Sequence, residues 1–208
     1  KVDLLITNVS KVYDGTIYAD ETDYYIDFGT NKPLEDEDVS FSATCEFTDK
    51  NVGDNKEFVC TDLELTGDDA GNYAFNELSY SVDDAVITKR IVGLKLENVS
   101  KSYDGTIDIG DTEHTLEFAD GEKIDGDDVS INATCLFDNA EIGNDHTFTC
   151  SGATLEGTDA GNYDIDETLS DNYDINEDAY IINDAVINAR KVDLLITNVS
   201  KVYDGTIY

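Results

Sequence analysis

The sequence has no tryptophan, no methionine, a single proline and only two histidines. It is also short of positive charge, with 13 Lys and Arg against 47 Asp and Glu, a formal charge of −34 at pH 7. That balance excludes a phosphate backbone or an anionic lipid surface as partner, because like charges repel at long range. No run of about 18 apolar residues is present, so membrane insertion is not expected either. Helical periodicity is missing as well: no twelve-residue stretch repeats apolar residues at i, i+3 and i+4. The four cysteines form no CxxC or CxxCH motif, which removes zinc, haem and dithiol redox chemistry. Of the histidines, His114 and His146, neither lies beside a Ser or Cys motif, and acidic residues are too common for any pair of them to signal acid–base work, so an enzyme is not expected.

What is present is alternation and repetition. Strongly acidic chains are often disordered, but here 12 Tyr and 8 Phe join many Val and Ile in short regular runs, the composition of strands. Val2, Leu4 and Ile6 alternate with Asp3 and Leu5, and Phe41, Ala43, Cys45 and Phe47 with Ser42, Thr44 and Glu46. A period of two marks half-buried strands. Such runs recur about every ten residues between turn strings rich in Asp, Gly and Asn, the pattern of an antiparallel sandwich.

Self-similarity sets the domain organisation. NVSKVYDGTI at residues 8–17 returns as NVSKSYDGTI at 98–107 and begins again at Asn198. DVSFSATCEF at 38–47 returns as DVSINATCLF at 128–137, DAGNY ends at Tyr73 and Tyr163, and DAVI starts at Asp84 and Asp184. The offset is 90 residues through DAGNY and 100 at DAVI, so the second copy carries about ten extra residues near 166–180, expected to be a loop. Two modules follow, at 1–90 and 91–190. Residues 191–208 repeat residues 1–18 without change and start the next unit. The expected fold is all-β: tandem immunoglobulin-like antiparallel sandwiches joined end to end, in an array that continues beyond the two modules. The stretches joining DAVI to the next YDG hold neither Pro nor a Gly/Ser run, so the joint should be stiff.

These motifs, SK-YDGT, a DVS strand, a DKNVG-like turn (weaker as NAEIG at 139–143 in the second copy), DAGNY and a closing A-I strand, in this order and twice, resemble the YDG-type repeat modules of bacterial filamentous-haemagglutinin-like and other large surface adhesins. The resemblance implies an extracellular stalk module without catalytic activity. Its strong acidity and its cysteine pairs are unlike the usual pattern.

Cys45 and Cys60, like Cys135 and Cys150, lie fifteen residues apart across a turn, as cross-strand partners on a hairpin would. Disulfides within each module are expected, which places the chain outside a reducing cytosol. Buried free thiols or bridges between modules are the alternatives. The recurrent Tyr13-Asp14-Gly15, Tyr103-Asp104-Gly105, Gly71-Asn72-Tyr73 and Gly161-Asn162-Tyr163 read as turns. In them Gly15, Gly71 and their neighbours would supply positive φ, and the tyrosines would tie down nearby backbone. An isopeptide bond from Lys11 or Lys101 to Asn72 or Asn162 is the sharper alternative. Asp174, Asn176 and Asp178 alternate as calcium ligands do, without the Gly and distant Glu of an EF-hand loop, so weak calcium binding competes with simple solvated charge. Asn8, Asn98, Asn132 and Asn198 open N-x-S/T sequons and are candidate glycan acceptors.

The leading expectation is therefore a stiff, disulfide-stapled rod on the cell surface or in a secreted fibre, its partners being neighbouring copies of itself. Two alternatives stand beside it. One is an adhesin that grips a host or cell-surface ligand through exposed Tyr173 and Tyr180 in the insertion. The other is a filament polymerised when the edge strand at residues 1–9 completes a neighbour's sheet.

Overall fold

The structure is a computed structural model that describes residues 1–109, 116–195, 197 and 200–206. His114 and Asn198 lie outside the described residues. The described chain is all-β, without α-helix; its helical content is three 3₁₀ turns at Ala70–Asn72, Ala160–Asn162 and Glu167–Leu169.

The two halves are built alike. In the first, β1 (Leu4–Thr7) pairs with β3 (Tyr25–Phe28), while β2 (Ser10–Val12), β4 (Ser40–Phe47), β5 (Gly53–Thr66) and β6 (Tyr80–Thr88) form one sheet in the order β2-β6-β5-β4. β7 (Arg90–Val92) pairs in parallel with β13 (Tyr163–Ile165), and the second half repeats the scheme. There β8 (Leu94–Lys95) pairs with β10 (Glu117–Phe118), and β9 (Ser100–Ser102), β11 (Ser130–Phe137), β12 (Gly143–Glu156) and β15 (Ala179–Asn188) form the larger sheet.

The sheets are mixed, where alternation alone led to an all-antiparallel expectation. β2 runs parallel to β6 and β9 parallel to β15. Side-chain period reports which face is buried and carries no information on the direction of the neighbouring strand. Asn8 and Asn98 make the parallel pairing possible. Both adopt the left-handed conformation, at φ 55° and 53°, which asparagine tolerates better than most residues. Each kinks the chain between a strand in the small sheet and a strand in the large one.

Alternation places the core as expected. Val2, Leu4 and Ile6 are buried and Leu5 is exposed. Both edges of this first segment are engaged within its own half: β1 meets β3 on one side, and Val2 bonds Ala74 and Asn76 on the other. Cys45 faces Cys60 and Cys135 faces Cys150 across directly paired positions, with Cα atoms 4.0 Å apart, and both pairs form disulfides. Beneath them Phe47 stacks edge-on against Phe58 at 5.1 Å, and Phe137 against Phe148 at 4.8 Å.

The insertion is an ordered hairpin, not an open loop. β14 (Tyr173–Asp174) adds to β15, and the preceding 3₁₀ turn packs on the start of the second half, where the Leu94 amide donates to Ser170 Oγ at 2.9 Å and Asp171 N–H to the Leu94 carbonyl. Gly93 lies under this turn: a Cβ there would come within 2.4 Å of the Leu169 carbonyl oxygen. Tyr180 is buried and only Tyr173 is partly accessible. The expectation of two exposed tyrosines is thus corrected; their rings pack edge to face at 5.1 Å because β14 puts them opposite each other.

Candidate functional site: the joint between the halves

The repeated motifs do two different jobs. The first is local. Lys11 is buried over the Phe47 ring, and its ammonium reaches the Asp14 carboxylate at 2.7 Å and the Thr16 carbonyl at 3.1 Å. Asp14 in turn accepts from the Thr16 amide and hydroxyl, at 2.9 and 3.0 Å. Gly15 completes the turn at φ 79°. Lys101, Asp104, Gly105 and Thr106 repeat this arrangement, and so do Lys201, Asp204, Gly205 and Thr206. Lys101 and Thr106 hold the Asp104 carboxyl at about 2. The K-x-Y-D-G-T string is thus a self-contained turn whose lysine, buried at Lys11 and Lys101 and exposed at Lys201, is satisfied by its own loop. An isopeptide bond does not fit this placement: the partners of Lys11 are Asp14, Thr16 and Tyr18, and those of Asn162 are Asn51 and Val52.

The second job joins the halves. Tyr13 and Tyr163 are both buried and meet edge to face at 5.5 Å. Both hydroxyls donate to Asp127 Oδ2, at 2.8 Å from Tyr13 and 2.6 Å from Tyr163. Lys50 sits over the Tyr13 ring and pairs with Asp127 at 3.4 Å and with Asp159 at 3.7 Å. Beside this cluster Asn162, buried, accepts from the Val52 amide at 2.9 Å and donates to Asn51 Oδ1 at 3.2 Å. YDG and DKNVG of the first half therefore close on DGDD (residues 125–128) and DAGNY of the second.

Electrostatics follow from this geometry. Burial pushes the Asp127 carboxyl up, but the Tyr163 and Tyr13 hydroxyls and the Lys50 ammonium outweigh it and hold the group below its ordinary value. Burial and the neighbouring carboxylate push the Tyr13 and Tyr163 hydroxyls up. A buried carboxylate that receives two hydroxyl donors and faces a cation is satisfied; removing any one of them leaves a costly remainder.

The chain between the halves has almost no slack. β6 ends at Thr88, β7 begins at Arg90, and Lys89 alone separates them. Thr88 accepts from the Tyr13 amide at 2.9 Å, while Arg90 is paired in parallel with Tyr163 and reaches the Glu122 and Gly121 carbonyls. Apolar packing crosses the joint too, since Val92, Val129 and Tyr163 belong to the same core cluster as Tyr13 and Phe58.

Other candidate residues fall elsewhere. Tyr73 and Tyr163 tie down backbone as expected, accepting from the Leu34 and Ile124 amides at 3.0 and 3.1 Å. Tyr13 instead bonds the opposite half, and Tyr103 is exposed. Gly71, Asn72, Gly161 and Asn162 do not adopt positive φ. They form 3₁₀ turns, and the left-handed positions are Gly67 and Gly157, four residues earlier, at φ 108° and 117°. There a Cβ would come within 2.2 Å of the Asp38 or Asp128 carbonyl oxygen. His146 is a buried residue of β12 in the place of Lys56, its Nδ1 2.8 Å from Asp138 as Lys56 is paired with Asp49. Asp174 accepts from the Asn176 amide, and Asp178 from the Tyr173 hydroxyl, which it pushes up to about 12. Among the described residues no group of three or more His, Cys, Asp or Glu is placed to hold a metal ion. Asn8, Asn98 and Asn132 are exposed, and Asn132 donates to Glu156 at 2.8 Å.

Sequence reasoning missed the roles of Asp127, Lys50 and Asn51, the acidic, basic and amide partners at the joint. Asp127 stands immediately before the DVS string, where the first half has Glu37, and this replacement of Glu by Asp inside a repeated context was the available signal.

The YDG domain family matches the chain twice, over residues 3–80 and 88–179. The chain belongs to this family. No curated protein and no solved structure matches it.

Proposed function

We propose that the chain is a structural repeat of an extracellular fibre or adhesin stalk, in which immunoglobulin-like sandwich modules stand end to end and the joint between them transmits force without bending. The observation that carries this reading is the buried Tyr13–Asp127–Tyr163 contact next to a one-residue connection. A binding domain on a flexible tether needs no such lock, whereas a shaft does. Two disulfides per pair of modules fit an oxidising compartment and a load-bearing role. The net charge of −34 keeps neighbouring shafts apart in solution.

The decisive test is solution scattering from the chain, followed by electron microscopy of the native assembly. A shaft gives an extended particle of roughly 75 Å for two modules, from about ten residues per strand plus turns, and filaments with an axial repeat of two modules. A compact particle, or a bimodal distribution of inter-half distances, would reject it. Ligand binding through the insertion is a second reading, favoured by Ile175, which is 82% exposed at the hairpin tip. Deletion of residues 166–180 that abolished cell or glycan binding would support it.

A further inference from the structure

The joint has two faces, and each half carries both. The second half presents the receiving face (Ile124, Asp127, Asn162 and Tyr163), and the first half presents the entering face (Tyr13, Gly15, Lys50, Asn51 and Val52). By the 90-residue offset, the first half has a receiving face of its own at Leu34, Glu37, Asn72 and Tyr73. It is already assembled: Tyr73 donates to Glu37 and accepts from the Leu34 amide at 3.0 Å, as Tyr163 does with Asp127 and with Ile124 at 3.1 Å. Asp38 N–H donates to Asp69 at 2.9 Å, matching Asp128 to Asp159 at 2.9 Å. Yet none of the described residues covers it. Asn72 is exposed and Leu34 is 70% exposed, whereas Asn162 is buried.

The entering face of the second half is likewise built and unused. The Glu141 amide donates to Asn139 Oδ1 at 2.9 Å, reproducing the Asn51 to Asp49 turn at 2.9 Å. Tyr103 is 40% exposed where Tyr13 is fully buried, and Ile142, in the place of Val52, is 58% exposed. Gly105 keeps its left-handed turn at φ 84°, as Gly15 does beneath Ile124.

We infer that the Leu34–Glu37–Asn72–Tyr73 face is the seat for the Tyr103–Gly105–Ile142 end of the second half of a preceding copy of the 190-residue unit, forming a second joint of a different kind. The inference rests on the tandem reading above. In this second joint the Ile142 amide bonds Asn72, and Tyr103 meets Tyr73 over Glu37. What it lacks is the cation: Lys50 is replaced by Ala140, and Asn51 by Glu141. Glu37, Asp69 and Glu141 then face one another with no ammonium between them, so this joint is weaker than the one inside the unit. An array of such units alternates a locked joint with a looser one and yields first at every second joint.

The test is a chain in which residues 1–190 are followed by a second copy of residues 1–90, so that residues 91–190 occur once. Hydrogen exchange is read at the Ile142 amide and, as internal reference for the locked joint, at the peptide spanning residues 159–165. Relative to the 208-residue chain, exchange at Ile142 should slow about fivefold, the factor that one net hydrogen bond supplies. Asn72→Ala or Tyr73→Phe in the added copy should abolish the slowing, and the same changes in the first copy should not. Ala140→Lys should slow exchange further. Unchanged exchange at Ile142 with a protected 159–165 segment overturns the second joint and leaves the rod of two intact. Loss of protection at both overturns the joint reading itself. Slowing that Asn72→Ala in the added copy does not remove also overturns it.

Discussion

Tyr13 and Tyr163, from the two halves of the chain, place their hydroxyls on the same carboxylate oxygen of Asp127 while their rings meet edge to face at 5.5 Å. Three side chains from distant points of the sequence thus form one buried unit that joins the two halves.

Removing the shared acceptor should therefore cost more than removing its counterpart. Asp127→Ala leaves two buried hydroxyls without their acceptor and Lys50 with Asp159 as its remaining carboxylate, and is expected to lower unfolding free energy by about 2–3 kcal/mol. Glu37→Ala, which affects only the uncovered Tyr73, should cost less than about 1 kcal/mol. Urea denaturation of the two variants decides this. Equal losses would mean that the joint contributes nothing beyond local turn structure.

The same carboxylate gives the joint an acid limit. Because the folded-state value of Asp127 lies below its ordinary one near 3.8, its contribution is complete above that ordinary value and is lost as pH falls through the lower folded-state value. Protection of the Val52 amide should hold from neutral pH down to about 5 and fall away below about 4, while the cores around the disulfides stay protected. Loss of Val52 protection already near pH 6 would assign the joint to some other titrating group.

Each disulfide closes a loop of sequence separation 15 between directly paired strand positions. Replacing Cys45 and Cys60 together by Ala should lower stability by about 3 kcal/mol through the freedom restored to the unfolded chain. Reduction of the wild-type chain should lower the melting temperature in the same sense. A melting curve indifferent to reductant would show that the strand pairing alone carries both halves.

Two glycines separate the turn that sequence suggested from the one the fold uses. Gly67→Ala places a Cβ at 2.2 Å from the Asp38 carbonyl oxygen in a backbone of φ 108°, and should destabilise by more than about 2 kcal/mol. Gly71→Ala meets nothing within 4 Å and should stay within about 0.5 kcal/mol of wild type. The reverse order in thermal melting would return the left-handed role to DAGNY.

Much of this architecture was legible in the chain itself. The two-residue period located β1, β4 and their copies, and the spacing of Cys45 and Cys60 indicated a hairpin cystine. Direction of pairing was not legible, since β2 beside β6 looks the same from the side chains whether parallel or antiparallel. The segment expected as a loop holds β14, which was not legible because Tyr173 and Tyr180 pack only once β14 folds against β15.

The sequence by itself determined that this is an internally repetitive β protein with a cystine in each half, because local alternation, identical strings and cysteine spacing depend on neighbours along the chain. Only the tertiary structure decided what the repeated motifs are for. Tyr13 and Tyr103 sit in the same K-x-Y-D-G-T string and form the same turn, yet one is fully buried against Asp127 and the other lies open. That difference arises from which residues the opposing end brings within hydrogen-bond reach, a property of two surfaces in space.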